Sequence, residues 1–336
     1  MSRSASKRQE RIRQSGNFKN GSFQNLSNTP MKPPDVSWFS IIKDSLNRPK
    51  EVRPSSPLPS VKTDLNTLHS DSPVIVWFGH SSYLLRCRDF TILVDPVFSG
   101  HASPFSFAVK AFAGADVYKP ADMPAIDALI LTHNHYDHLD TGAIAQLKDK
   151  IAGYYAPLGV GQLLEGRYSG GRPVTELDWW ETAELAPGIR ITATPARHFS
   201  GRGLKRGGTL WTSYVLNIYG YKIFLGGDSG YDTHFKQIGD TYGPFDMALL
   251  ECGQYNESWP YIHMMPEQTV QAAMDLKAKV LFPVHWAKFT LANHAWNEPI
   301  KRVTARAKEL NVPIVTPMIG EPVVIDNYRP VKPWWG

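Results

Sequence analysis

From Pro73 onward, short apolar runs alternate with polar turns at the spacing of strands in a layered domain. Val74 to Phe78, Tyr83 to Cys87 and Phe90 to Val94 predict an antiparallel meander, which Asp95-Pro96 ends. Further strands are expected at Ala128 to Leu131, Ile189 to Ala193, Ser213 to Tyr219, Lys222 to Leu225, Met247 to Leu250, Val280 to Pro283 and Val323 to Ile325, with a tight hairpin at Tyr219-Gly220-Tyr221. Pro266 suits the first turn of a helix whose Val270, Ala273, Met274 and Ala278 share a face. Trp296, Ile300, Val303, Ala307 and Leu310 form a second stripe at helical spacing. Both stripes read as core, and strands interleaved with helices predict an α/β layered sandwich.

Upstream the pattern changes. Pro, Ser and Asn dominate to about residue 60, which predicts an extended or disordered arm over 1–60 followed by one domain over 61–336. Charge sharpens that division. The formal net charge is +5, and the first twenty residues alone, six basic against Glu10, carry +5. A pI near 9.0 would otherwise suggest nucleic acid. The domain itself is balanced and has no surplus for phosphates, so no nucleic-acid partner is expected. The arm has no apolar stretch of a secretory signal, and no run approaches the roughly 18 apolar residues of a membrane-spanning helix. It reads as a disordered basic segment, with contact to anionic lipid or a transit peptide as the competing readings. The expected location is cytoplasmic, with peripheral membrane contact left open. Cys87 and Cys252 are far apart in apolar segments, so no disulfide framework is expected.

The chemistry concentrates after the apolar run Ala128 to Leu131. His133, His135, Asp137 and His138 form an H-x-H-x-D-H cluster, and imidazoles with a carboxylate are what Zn²⁺ and similar ions take as ligands. One cluster cannot close two metal shells. His198, Asp228 and His285 each follow another apolar run, so one sheet edge could present all seven. Singly, each also reads as a hydrogen-bonded structural residue.

The order H-x-H-x-D-H, then His, Asp and His, resembles the metallo-β-lactamase superfamily over about residues 73–326. Trp77-Phe-Gly-His-Ser-Ser, Thr91-Ile-Leu-Val-Asp-Pro-Val-Phe-Ser, Thr132-His-Asn-His-Tyr-Asp-His-Leu-Asp and His285-Trp286 resemble its N-acyl-phosphatidylethanolamine-hydrolysing phospholipase D branch and bacterial relatives. The resemblance implies a four-layer αβ/βα sandwich, two mixed β-sheets with helices on the outer faces. It implies two Zn²⁺ per chain, His133, His135 and His198 on one and Asp137, His138 and His285 on the other, with Asp228 bridging. A hydroxide held between them would attack phosphorus.

Around those ligands, Asp95 reads as an acceptor that orients the hydroxide or a ligand imidazole, or as a turn-forming Asp before proline. His263, at a family position near the metals, would stabilise developing charge or protonate the leaving alkoxide. His80 reads as a contact to ligand or substrate, or as a loop histidine. Phe105, Phe107 and Phe112 suggest a hydrophobic mouth for acyl chains, against a buried packing loop, and Tyr255 lies on an aromatic loop that could line the pocket. With Asp95, His263 and Asp137 as catalytic residues, the expected function is a zinc phosphodiesterase of phospholipase D type, cleaving N-acyl-phosphatidylethanolamine-like lipids to phosphatidic acid and N-acylethanolamine. The alternative is a lactonase or phosphorylated-metabolite hydrolase on the same ligands. A non-catalytic or nucleic-acid-processing protein is disfavoured by the complete ligand set and the balanced charge.

Overall fold

The predicted meander forms as an antiparallel unit. In the computed structural model, which describes residues 3–37, 39, 43, 48–203, 205–327 and 332–336, three short elements come first: α1 (Arg3–Gln14), β1 (Phe18–Lys19) and β2 (Ser22–Phe23). The meander is β3 (Val74–Trp77), β4 (Tyr83–Cys87) and β5 (Phe90–Val94), followed by β6 (Ile126–Ile130), α2 (Thr141–Leu147), β7 (Ile151–Pro157), α3 (Gly161–Leu164) and β8 (Val174–Leu177). The second half holds β9 (Thr182–Ala186), β10 (Ile189–Thr194), β11 (Ser213–Ile218), β12 (Tyr221–Leu225), α4 (His234–Tyr242), β13 (Met247–Glu251), α5 (Pro266–Asp275), β14 (Leu281–Val284), α6 (Glu298–Glu309) and β15 (Pro322–Val324).

Two mixed sheets result, one ordered β15-β3-β4-β5-β6-β7-β8 and the other β14-β13-β12-β11-β10-β9. Alternation along the strands explains the layers. Ile75, Trp77, Leu85, Ile92 and Ala128 join one apolar cluster with Ile191, Val215 and Leu249 of the second sheet, while Val76, Leu84, Leu93 and Leu129 join another with Ala143, Ile144 and Leu147 of α2. On the second sheet, Val270 and Ala273 of α5 and Ile300 and Val303 of α6 complete the core. The expected four-layer sandwich is therefore the architecture. Tyr219 and Gly220 turn the β11–β12 hairpin at positive φ, 48° and 94°.

Three expectations need correction. β7, β8 and β9 were not legible, since Gly153 and Pro157 interrupt β7 and β9 is largely exposed. Met274 does not join the buried face of α5 but is 44% exposed. The third concerns the arm, part of which packs against the domain through Arg8, Ile12, Phe23, Asn25 and Thr29. Ile12 and Phe23 are buried with Leu158, Trp179, Leu210 and Trp211, contributing about 1.5 to 3 kcal/mol each to holding the segment in place. Arg8 is buried between Glu176 (2.6 Å) and Glu165 (2.7 Å), and Arg11 pairs with Glu181. Two anchors dispersed among polar residues leave no compositional trace, and part of the basic charge is committed internally. Residues 1, 2, 38, 40–42 and 44–47 of the expected arm lie outside the described residues. Among the described residues no helix is long and apolar enough to cross a membrane.

Candidate metal centre

Nearly every side chain of the centre follows the C-terminal end of a strand. Asp95 follows β5, the His133 to His138 cluster follows β6, His198 follows β10, Asp228 follows β12, Glu251 ends β13 and His285 follows β14. β5 and β6 are parallel, β12, β13 and β14 are parallel, and β10 is two antiparallel steps from β12, so these ends gather at one edge. His80, in the β3–β4 turn, stitches the sheets there: its N–H donates to Trp286 O (2.9 Å) and its carbonyl accepts from His285 N (2.9 Å). His80, Asp95 and His285 hold φ at 54°, 41° and 68°, the kind of backbone strain found at functional sites. Gly227, at φ 61°, is required as glycine, since a Cβ there would lie 2.9 Å from Thr132 Cβ and push the Asp228 loop off the His133 turn.

The donors fall into two groups with one carboxylate between them. His135 Nδ1 lies 2.9 Å from His133 Nε2 and 3.2 Å from His198 Nε2. In the other group, Asp137 Oδ2 lies 2.9 Å from His80 Nε2 and 3.6 Å from His138 Nε2, and His285 completes it. Asp228 divides its oxygens. Oδ1 is 3.2 Å from His138 Nε2 and 3.1 Å from His285 Nδ1, whereas Oδ2 is 3.8 Å from His133 Nε2 and 3.7 Å from His198 Nε2.

Outer contacts decide which ring nitrogen faces inward. His138 Nδ1 donates to Asp95 Oδ2 at 2.8 Å, and Asp95 also accepts from Thr132 N (2.9 Å) and Thr132 Oγ1 (2.6 Å). His198 Nδ1 donates to Ile262 O at 2.8 Å. A proton on Nδ1 leaves Nε2 as a lone pair aimed at the group. Asp140, the last residue of the motif, plays a structural part. It caps α2 through Ala143 N (3.0 Å) and accepts from Ser99 N (2.8 Å), holding the loop after Asp95.

This donor set fits metal. His80 Nδ1, His138 Nε2, His285 Nε2 and Asp228 Oδ1 are buried without a hydrogen bond, and such atoms cost about 1–3 kcal/mol each unless something binds them. Burial holds the His133, His198 and His285 imidazoles well below their ordinary range and His135 at about 4, so all are neutral at pH 7, as ligation requires. His138 is the exception. Burial lowers it, but Asp228, Asp137 and Asp95 outweigh burial and hold it well above the usual range. An imidazolium among three carboxylates is where a divalent cation would replace a proton.

The structure brings together His133, His135, Asp137, His138, His198, Asp228 and His285, with Asp95 bonded to one of them. His80, expected to contact a ligand or the substrate or to be a plain loop histidine, is fully buried against the ligand candidate Asp137 and so is closed to substrate. His263 is close, with its ring 5.1 Å from His198 and 5.3 Å from His285, and its Nδ1 donates at 2.6 Å to Glu251 Oε2. Glu251 was missed. It is fully buried, accepts from Ser229 N at 2.6 Å, and burial raises its carboxyl well above the usual range. Its signal in the sequence is a carboxylate ending the apolar run Met247 to Leu250, the kind of strand-end position that His and Asp occupy elsewhere in the centre.

The outer residues divide. Phe105 and Phe107 are 60% and 76% exposed and stack at 5.6 Å, while Phe112 is buried in the core and is no part of a mouth. Ser103 and Pro104 of that loop share a cavity with Tyr136, which lies between ligand-type residues in the motif. Tyr255 is buried, donating to Glu298 (2.6 Å) and stacking on His294, and the cavity it lines with Met265 and Arg302 includes none of the seven ligand candidates.

Comparison with known proteins agrees with this geometry. The profile of a beta-lactamase superfamily domain matches residues 91–286. A protein of Mycobacterium tuberculosis described only as uncharacterized is 37% identical over 96% of this chain and 88% of its own length. An N-acyl-phosphatidylethanolamine-hydrolyzing phospholipase D of Caenorhabditis elegans is 30% identical over 74% of this chain and 73% of its own. A metallo hydrolase of Ignicoccus hospitalis shares the fold, with a TM-score of 0.56 at 21% identity over 75% of this chain and 97% of that one. The chain thus belongs to the beta-lactamase superfamily and is a metal-dependent hydrolase of that family.

Proposed function

We propose that this hydrolase is a zinc-dependent phosphodiesterase of phospholipase D type, acting on N-acyl-phosphatidylethanolamine-like lipids. The observation that carries the two-metal part is the division of Asp228, one oxygen toward His138 and His285 and the other toward His133 and His198. In this reading His133, His135 and His198 would hold one ion and Asp137, His138 and His285 the other, with Asp228 offering an oxygen to each. His80 stands behind Asp137. Two divalent cations bound there supply Lewis-acid polarisation of a phosphate and acidify water in the centre.

The chain's own residues complete the reaction. Asp95 keeps the His138 tautomer that presents Nε2. His263 Nδ1 donates to Glu251, so Nε2 carries the free lone pair; it would take the proton released by the attacking water and hand it to the leaving oxygen. Water adds to phosphorus, the bond from phosphorus to the ethanolamine oxygen breaks, and the products are phosphatidic acid and N-acylethanolamine. The worm relative's printed activity and the exposed Phe105–Phe107 pair, on the loop whose Ser103 and Pro104 share a cavity with Tyr136, support a lipid substrate. A second reading, a phosphorylated small metabolite or lactone, is favoured by one feature: a cavity of about 380 Å³ at His198 carries Arg206, a phosphate-binding side chain. Thin-layer analysis of the zinc-loaded protein with N-acyl-phosphatidylethanolamine, with and without chelator, tests the proposal. Chelator-sensitive release of phosphatidic acid is expected. An intact lipid alongside an opened sugar-phosphate lactone would establish the second reading.

A further inference from the structure

The N-terminal segment reaches the metal centre through one side chain. Asn25 closes a two-way bond with the backbone of His198: Nδ2 donates to His198 O at 2.8 Å, and Oδ1 accepts from His198 N at 3.0 Å. The same oxygen accepts from Trp211 Nε1 at 3.1 Å. Arg197 is held from the same side, donating to Asn28 O (2.8 Å) and Thr29 Oγ1 (3.0 Å). Further along the loop, Phe23 N donates to Gly207 O at 2.8 Å. Gly207 sits at φ 68°, where a Cβ would lie 3.0 Å from Ser22 Cβ, so the contact depends on glycine. Behind these bonds, Arg8, Ile12 and Phe23 fix the segment to the domain.

The loop needs such a hold. β10 ends at Thr194, four residues before His198, and β11 resumes only at Ser213. The Nδ1 bond to Ile262 O sets the ring of His198 but not the backbone beneath it. A carboxamide offers one donor and one acceptor side by side, the match for a peptide's C=O and N–H that a neighbouring strand would otherwise supply. We propose that Asn25 is a positioning residue for the metal centre, fixing the His198 backbone so that Nε2 stays aimed at His133 and His135. This rests on the reading of His198 as a metal ligand.

The test uses the full chain and Asn25→Ala, with two measurements. Amide hydrogen exchange of the zinc-free protein should show the His198 amide exchanging about tenfold or more faster in the variant, with β10 and β11 amides unchanged. Zinc release to a chromogenic chelator should quicken about ten- to a hundredfold in one phase only, the range for losing an outer partner of a ligand. Should Asn25→Ala not fold, Asn25→Asp retains the Oδ1 acceptor and sets a carboxylate oxygen against His198 O in place of the donor, and both readouts should move in the same direction. Unchanged His198 exchange overturns the bond's role. Faster exchange with unchanged zinc release overturns the positioning of the metal. A parent chain that binds one zinc or none sinks the two-metal reading, yet the exchange result still decides whether Asn25 holds His198.

Discussion

The metal centre and the Phe105–Phe107 loop adjoin one another through Tyr136, yet they are built on opposite terms. In the centre, ligand-type side chains are buried, outer contacts such as Asp95 and Ile262 set the tautomers, and backbone strain is tolerated at three residues. In the loop, two large apolar rings face solvent, and the bonds that shape it are local, such as Ser103 Oγ to Phe105 O at 2.6 Å. Rigidity sits where ions must be held to within tenths of an ångström. Exposed apolar area sits where a substrate of variable length could be met. On the proposed reading, reaction type and substrate choice reside in separate parts of the molecule, and each should be alterable without the other.

The strongest break falls on the centre. Asp228→Ala removes the carboxylate shared by both groups, so elemental analysis should find metal lost from both and activity should fall to that of the chelated protein. Full occupancy in that variant would remove Asp228 from the role of bridge. His263→Ala should come next, lowering kcat by about 10²–10⁴ for substrates of every chain length with metal content unchanged. A loss confined to KM would place His263 in binding and not in proton transfer.

Changes in the loop should act on selectivity alone. If the rings meet acyl chains, kcat/KM gains up to about 0.8 kcal/mol per added methylene, roughly fourfold, until contact is complete. Phe107→Asp should flatten that dependence while short-chain rates and metal content hold. An unchanged slope would leave Phe107 without a part in substrate choice. The smallest effect concerns the exposed basic residues of the N-terminal segment. Lys7→Glu with Lys19→Glu should weaken binding to anionic vesicles at low salt by about 1 kcal/mol per residue, with detergent-dispersed hydrolysis intact. Equal vesicle binding by sedimentation would exclude an electrostatic membrane contact there.

What was legible in the sequence follows the same contrast. Strand-end residues could be read because an apolar run followed by His or Asp is a local pattern, and the seven residues so chosen do converge. Glu251 carries the same strand-end signal, but its part in the site depends on the pairing with His263, and which of its readings His80 takes depends on Asp137, far along the chain. Ile12, Phe23 and Asn25 were invisible for the same reason: isolated anchors in a polar stretch carry no periodicity. Phe112 and Phe105 look alike in sequence, and only tertiary packing buries one and leaves the other in solvent.

The proposed reaction is metal-dependent attack of water at phosphorus in an N-acylated phospholipid. Incubating the zinc-loaded protein with long-chain N-acyl-phosphatidylethanolamine in ¹⁸O-labelled water, and reading both products by mass spectrometry, tests it directly. The account predicts one ¹⁸O in phosphatidic acid, none in the N-acylethanolamine, and no products once zinc is chelated. Label in the N-acylethanolamine, or an intact lipid in the presence of zinc, would contradict it.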